Sequence, residues 1–173
     1  TLNNIDVLIT KNAEKASSYL NQLSDIMRFM LYETKTEKIL LSKELAYVQK
    51  YIELQKIRTA NPDFVYFSVE GETTYDYIAP MVLIPFVENA FKHGTGLIRE
   101  PSIQIALATS PKKIHFRVQN RYNSDFIEAK DNNSGIGLAN VRRRLELLYP
   151  EMHILKITKD KDIFVTDLEI TLK

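Results

Sequence analysis

No cysteine occurs in the 173 residues. That removes disulfides, zinc-thiolate centres and thiol catalysis, and it is compatible with a reducing cytoplasm. Charge of one sign is not in excess either: 23 lysines and arginines face 22 aspartates and glutamates, a formal net charge of +1. Binders of DNA, RNA or anionic membranes usually carry a clear basic excess, so no nucleic-acid partner is expected, and the triple arginine at 142–144 is too small a patch to alter that. Long apolar runs are missing. The longest, which includes Ala79 to Val87, ends at Glu88 and falls far short of the roughly 20 residues a membrane helix needs. There is no charged-then-apolar leader, and the chain opens on Thr1, which suggests a piece of something longer. Glycine is scarce: of five, four (Gly94, Gly96, Gly135 and Gly137) sit in two short segments. Such economy points to places where backbone must approach another group closely.

What is present is a chain with 45% apolar residues, enough to bury a sizeable core, so one domain with a helical extension is the natural expectation. From Ala16, the residues Tyr19, Leu20, Leu23, Ile26, Met27 and Met30 recur at the spacing of an amphipathic helix. A second helix is expected from about Ser42, a plausible N-cap, through Leu45, Val48, Ile52 and Ile57. Two such helices either pack only on each other or present an apolar stripe to a second copy; a short helical hairpin buries little area alone, which favours the second copy.

Phe64 to Val69, rich in aromatic and β-branched residues and followed by Gly71, reads as a strand. An apolar helix follows, in which Pro85 predicts a late start or a kink. Ile103, Ile105 and Leu107 alternate with polar or small residues, as do Ile114, Phe116 and Val118 across the turn Ser110 to Lys113, giving a hairpin with one buried face. Arg121 to Ser134 is polar and aperiodic, a loop. Leu138, Val141, Leu145 and Leu148 mark a last helix, and two strands close the chain around a turn at Lys159 to Asp162, the second with Phe164, Leu168, Ile170 and Leu172. This order predicts an α+β fold with helices on one face of a mainly antiparallel sheet.

Two segments carry chemistry. In Glu88-Asn89-Ala90-Phe91-Lys92-His93-Gly94, Asn89 offers a neutral oxygen suited to Mg²⁺ shared with water and phosphate. Alone it would more often cap a turn or sit satisfied in a core, but Lys92 one turn on, on the same helical face, makes a phosphate contact attractive. His93 either donates to phosphate or ribose or simply suits a helix C-terminus. Glu88 would need to reach a water to act as a general base, and adjacent helical residues point about 100° apart, so orienting its neighbours is the better reading. In Gly135-Ile136-Gly137-Leu138-Ala139-Asn140-Val141, two glycines before a helix would let phosphate oxygens meet backbone N–H groups. Arg142, four before Glu146, reads as a surface ion pair.

Together with the helix pattern from Leu41 to Arg58 (Leu-x-x-Glu-Leu, then Tyr-Ile-x-Leu-x-Lys-x-Arg), these segments occur in an order that resembles the LytS-type sensor histidine kinases of the GHKL, or Bergerat-fold, ATPase superfamily. The resemblance implies a Bergerat-type α/β sandwich over residues 61–173, preceded by a helical dimerisation region over residues 1–60. It implies ATP and Mg²⁺, with Asn89 as metal ligand, and Asn89, Lys92, His93, Asn120, Gly135, Gly137 and Leu138 around the nucleotide. The loop before Gly135 corresponds to the lid over ATP. Where GHKL proteins usually hold adenine with Asp-x-Gly-x-Gly, this chain has Val118-Gln119-Asn120-Arg121-Tyr122. Asn120 can still accept from the adenine amino group; losing the carboxylate's charge costs about 1 kcal/mol, or about fivefold in affinity.

In the family the phosphorylated histidine lies in an Asn-Pro-His-Phe motif just before a segment like Thr1 to Ile5. The chain's own histidines, His93, His115 and His153, do not fill that role, so a core that binds ATP without phosphorylating itself is expected. The resemblance further implies a homodimer through the N-terminal helices, a response regulator, often of LytTR type, as phosphoryl recipient, and an intact protein at the cytoplasmic membrane. A degenerate kinase serving as a dimeric scaffold is the alternative, and a GHKL hydrolase a third reading.

Overall fold

The computed structural model describes residues 2–56, 61–94, 102–122 and 134–172. It begins with two helices, α1 (Leu2–Lys11) and α2 (Ala13–Tyr32). Between them Asn12 accepts the N–H of Lys15 at 3.0 Å through its side chain, which satisfies a donor of the first turn of α2. The helix therefore starts three residues before its apolar period does. Its apolar residues divide between two faces. Ile26 is buried, with Tyr19, Leu23 and Phe29 half-buried against the core, while Leu20, Met27, Met30 and Leu31 remain exposed.

A two-residue strand, β1 (Ile39–Leu40), runs directly into α3 (Leu41–Lys56). Ser42 is therefore not the N-cap that its residue type suggested. The Leu41 N–H is satisfied at 2.8 Å by the Asp76 carbonyl of the neighbouring segment, and Ser42 falls inside the first turn. Leu41, Leu45, Val48 and Ile52 of α3 are buried in the same core as the sheet. Ile57, the expected last apolar residue of this helix, lies outside the described residues.

A 3₁₀ turn at Pro62–Phe64 precedes β2 (Val65–Glu70), so Phe64 belongs to the turn instead of starting the strand. β3 (Tyr77–Ile78) pairs antiparallel with β1. Then come α4 (Ile84–His93), β4 (Ile103–Ser110), β5 (Lys113–Arg121), α5 (Ser134–Leu148), β6 (His153–Asp160) and β7 (Ile163–Thr171). The main sheet has the order β2-β4-β5-β7-β6; β2 and β4 are parallel and the other neighbours antiparallel. The first hairpin turns where the sequence implied, over Ser110 to Lys113, and the last turns one residue later than Lys159 to Asp162. Ser110 pairs with Lys113 and Asp160 with Ile163, leaving two-residue loops in which Lys112 and Lys161 take left-handed φ values of 63° and 47°.

The alternation read from sequence separates the two faces of the sheet. Ile103, Ile105 and Leu107, Ile114, Phe116 and Val118, and Leu168 and Ile170 point into the core, where the Phe86 ring of α4 lies 6.4 Å from that of Phe116. The other face carries cross-strand ion pairs: Lys113 with Glu169 at 2.9 Å and Arg117 with Asp167 at 2.9 Å. This is the mainly antiparallel sheet covered by helices on one face.

Candidate functional site

Three elements build the site: α4, the first turns of α5, and the end of β5. α4 starts at Ile84 with Pro85 in its first turn, where a missing N–H costs nothing, so the proline gives the late start that the sequence implied. Asn89 and His93, four apart, lie on one face of α4, with Lys92 beside them. At the helix end Gly94 has an ordinary extended φ of −68°, so its lack of a side chain serves proximity: an added Cβ would lie 2.7 Å from the Ala90 carbonyl oxygen and 3.3 Å from Ile103.

α5 begins at Ser134, so Gly135 and Gly137 lie inside its first turns instead of ahead of it. The apolar period that marked the helix starts only at Leu138, because Gly137 is exposed and contributes nothing to the core. The N–H groups of this first turn have no partners within the helix, which suits an anion. A Cβ added at Gly137 would meet nothing within 4 Å, so the open side of this glycine is not filled by the described protein.

Two adjoining cavities share Asn89, His93 and Leu138. The outer one is completed by Pro85, Glu88, Lys92 and Gly137, the inner one by Asn120, Tyr122, Lys159 and Phe164. Asn120 is 1% exposed and faces Phe164 across the β5–β7 ladder. Its amide nitrogen donates to the Arg121 carbonyl at 3.2 Å, but its Oδ1 is buried with no hydrogen-bond partner among the described residues. A buried acceptor without a donor costs about 1–3 kcal/mol, so this atom is suited to a donor that arrives with a ligand. The Tyr122 and Phe164 rings meet edge to face at 6.4 Å, and the Lys159 ammonium lies 5.7 Å from the Phe164 centroid, forming an apolar wall with a cation at its rim.

Of the residues expected from sequence, Glu88, Asn89, Lys92, His93, Gly137, Leu138 and Asn120 thus line these two cavities. Gly135 lies one turn away in α5, while Gly96 and most of the loop before Ser134 fall outside the described residues. Glu88 is exposed, although the protein crowded about its carboxyl pushes its pKa up. Among the described residues no group of three or more His, Asp or Glu is placed to hold a metal, so a cation at Asn89 would draw its other ligands from water and phosphate.

Sequence reasoning missed Tyr122, Lys159 and Phe164, whose place in the site depends on strand register. It also missed Glu44. This carboxylate of α3 is fully buried and accepts the N–H groups of Met81 at 2.9 Å and Leu83 at 3.0 Å, the residues leading into α4. Burial pushes its pKa up, against the lowering effect of those N–H groups and of the Arg144 guanidinium. The acidic residue inside an apolar helical pattern, at Leu41-x-x-Glu44-Leu45, was the available signal.

Residues 1–64 match the family model described as histidine kinase. Among curated proteins, the sensor histidine kinase BtsS of Escherichia coli K12 is 26% identical over 172 residues, 99% of this chain and 30% of BtsS. An uncharacterized sensor-like histidine kinase of Staphylococcus epidermidis is 32% identical over 119 residues, 68% of this chain and 23% of that protein. The chain thus spans less than a third of the length of these relatives. Among solved structures, the nucleotide-free catalytic domain of histidine kinase ThkA aligns with a TM-score of 0.52 and 20% identity over 78% of this chain and 93% of that domain. The Acinetobacter baumannii histidine kinase AdeS aligns with a TM-score of 0.53 and 12% identity over 95% of this chain and 82% of AdeS. At these identities the structural likeness is one of fold.

Proposed function

The chain belongs with the histidine kinases, and from that premise we propose that it is the catalytic and ATP-binding core of a LytS-type two-component sensor kinase. The observation that carries this reading is Asn120: its orphaned, buried Oδ1 lies on a cavity shared with Asn89 of α4. An adenine amino group supplies the donor that Oδ1 lacks, between the rings of Tyr122 and Phe164 and the side chain of Leu138. The phosphates then extend along α4 toward Gly137, with Lys92 and His93 as cationic or hydrogen-bonding partners and Gly135 and Gly137 leaving backbone N–H groups accessible. Asn89 would hold Mg²⁺, which when bound neutralises charge developing on the phosphates. Glu88 serves to orient its neighbours.

In this reading the γ-phosphoryl group leaves ADP for the ring nitrogen of a histidine and then passes to an aspartate of a response regulator, of LytTR type by resemblance. In this reading the acceptor is none of His93, His115 and His153, which the absence of all three from α1 to α3 supports. These 173 residues alone are therefore expected to bind ATP without autophosphorylating. Residues 1–60 act as the dimerisation region and 61–173 as the kinase domain, and the exposed Leu20, Met27, Met30 and Leu31 of α2 support a homodimer through the N-terminal helices. No helix among the described residues is long and apolar enough to cross a membrane; anchoring at the cytoplasmic membrane would fall to other segments of the intact protein.

The experiment is a calorimetric titration with ATP in Mg²⁺, beside Asn89→Ala. Micromolar to low millimolar binding that weakens in the variant supports the reading. A folded sample with no binding at millimolar ATP favours the second reading, a degenerate kinase acting as a dimeric scaffold, for which the asparagine in place of the usual adenine-box aspartate is the motive.

A further inference from the structure

We propose that Glu44 and Arg144 are positioning residues that hold the turn leading into α4 and thereby set Asn89 against the first turns of α5. The inference rests on the nucleotide reading of those two elements. The turn is strained: Met81 has φ 60°, the left-handed region that a side chain disfavours. Such a conformation persists only where its surroundings over-determine it, and here they do. Glu44 takes the N–H groups of Met81 and Leu83, and the Arg144 guanidinium donates to the Met81 carbonyl at 3.1 Å and to the Pro80 carbonyl. The Tyr149 hydroxyl, just past α5, accepts the Ala79 N–H at 2.7 Å.

Met81 is thus gripped on both polar groups of its backbone, from α3 on one side and α5 on the other. Arg144 stands two turns along the same helix as Gly137, so one guanidinium links the glycine-bearing helix to the start of the asparagine-bearing one. Loosening either grip lets Met81 relax toward ordinary φ and turns the start of α4. Asn120, on β5, does not depend on that turn. The metal position at Asn89 is therefore sensitive to the clamp, whereas the adenine half is not, and the long, flexible Lys92 side chain can follow the phosphates.

The test uses Glu44→Gln, whose amide keeps one acceptor oxygen but points an N–H₂ at a backbone N–H, and Arg144→Lys, which keeps the charge but reaches only one carbonyl. ADP affinity is measured calorimetrically with and without Mg²⁺, on samples whose circular dichroism matches the wild type. Both variants are expected to lose about tenfold of the affinity gained on adding Mg²⁺, the usual scale for a group that orients a metal ligand, while Mg²⁺-free ADP binding stays within about twofold. If Glu44→Gln does not fold, the exposed Arg144→Lys carries the test. An unchanged Mg²⁺-dependent gain, or an equal loss with and without Mg²⁺, overturns the proposal alone. A wild type that binds no ADP in either condition overturns the nucleotide reading, and the clamp's role with it.

Discussion

The ring of Phe29 on α2 lies stacked on that of Tyr47 on α3, with centroids 4.3 Å apart and planes within 22°. Tyr47 is only 3% exposed, and burial together with the nearby carboxylates of Glu88 and Glu44 pushes its phenol above the ordinary range. One aromatic pair therefore joins the N-terminal helices to α3 and to the neighbourhood of α4, and α2 is packed on the α/β layer instead of standing free of it.

Phe29→Ala is accordingly expected to lower the unfolding free energy by about 2–3 kcal/mol, below the range for a fully buried phenylalanine because this ring is half-buried. Tyr47→Phe keeps the stacked ring and is expected to cost less than about 1 kcal/mol. Urea unfolding of both variants checks this. An unchanged midpoint for Phe29→Ala would mean that α2 does not rest on α3 in solution.

Asn120 should separate stability from binding. Asn120→Ala removes a buried acceptor that has no donor as well as the amide bond to Arg121, two opposing effects of about 1 kcal/mol each, so the unliganded protein should keep its stability within about 1 kcal/mol. ATP affinity should fall about tenfold, because the adenine amino group then meets an apolar surface. Thermal unfolding and titration of the same sample test both halves. A large loss of stability with unchanged affinity would make Asn120 a core residue only.

The Glu44 carboxyl predicts an unusual pH slope. Its folded pKa is raised above the ordinary 4.5, chiefly by burial, so the folded state holds this proton more tightly than the unfolded state. Stability linked to Glu44 is therefore fully present below about pH 4.5 and is lost as pH rises through the folded pKa. The exposed Asp25 and Glu169, lowered by Lys50 and Lys113, act in the opposite sense, contributing above their unfolded pKa and losing that contribution as pH falls. Because glutamine does not titrate, the stability of the wild type relative to Glu44→Gln should fall as pH rises from 4 to 8, with a slope no steeper than about 1.4 kcal/mol per unit. A difference that does not vary with pH would mean that the carboxyl does not titrate in this range.

The fold was readable wherever one face of an element is buried. The alternation of Ile103 to Leu107, Ile114 to Val118 and Phe164 to Leu172 gave the strands, and the helix of Asn89 followed from its apolar lead and Pro85. What could not be read depends on register and on long-range polar contacts. The pairing that brings Phe164 opposite Asn120, and the reach of Glu44 to the backbone of Met81 and Leu83, involve residues distant in sequence that leave no local period. Helix starts slipped for a related reason: Ala13 precedes the first buried residue of its helix and Ser134 is a polar residue, so hydrophobic spacing alone cannot mark them.

The glycines offer the sharpest separation of structure from function. Gly71 has φ 89°, and a Cβ there would lie 2.3 Å from the Thr109 hydroxyl and 2.6 Å from its carbonyl oxygen, so Gly71→Ala should be among the most damaging glycine substitutions. Gly94→Ala must displace the Ala90 carbonyl and should also destabilise. At Gly137 the space is open and the residue is helical, so replacement by alanine removes backbone freedom from the unfolded chain and should stabilise α5 by as much as about 1 kcal/mol. Gly137, however, lines the cavity shared with Glu88, Asn89, Lys92 and His93, where the phosphates are proposed to meet backbone N–H groups. Gly137→Ala should therefore raise the melting temperature while lowering ATP affinity, a combination that a purely structural glycine does not produce. A more stable variant that binds ATP as well as the wild type would move the phosphates away from the first turns of α5.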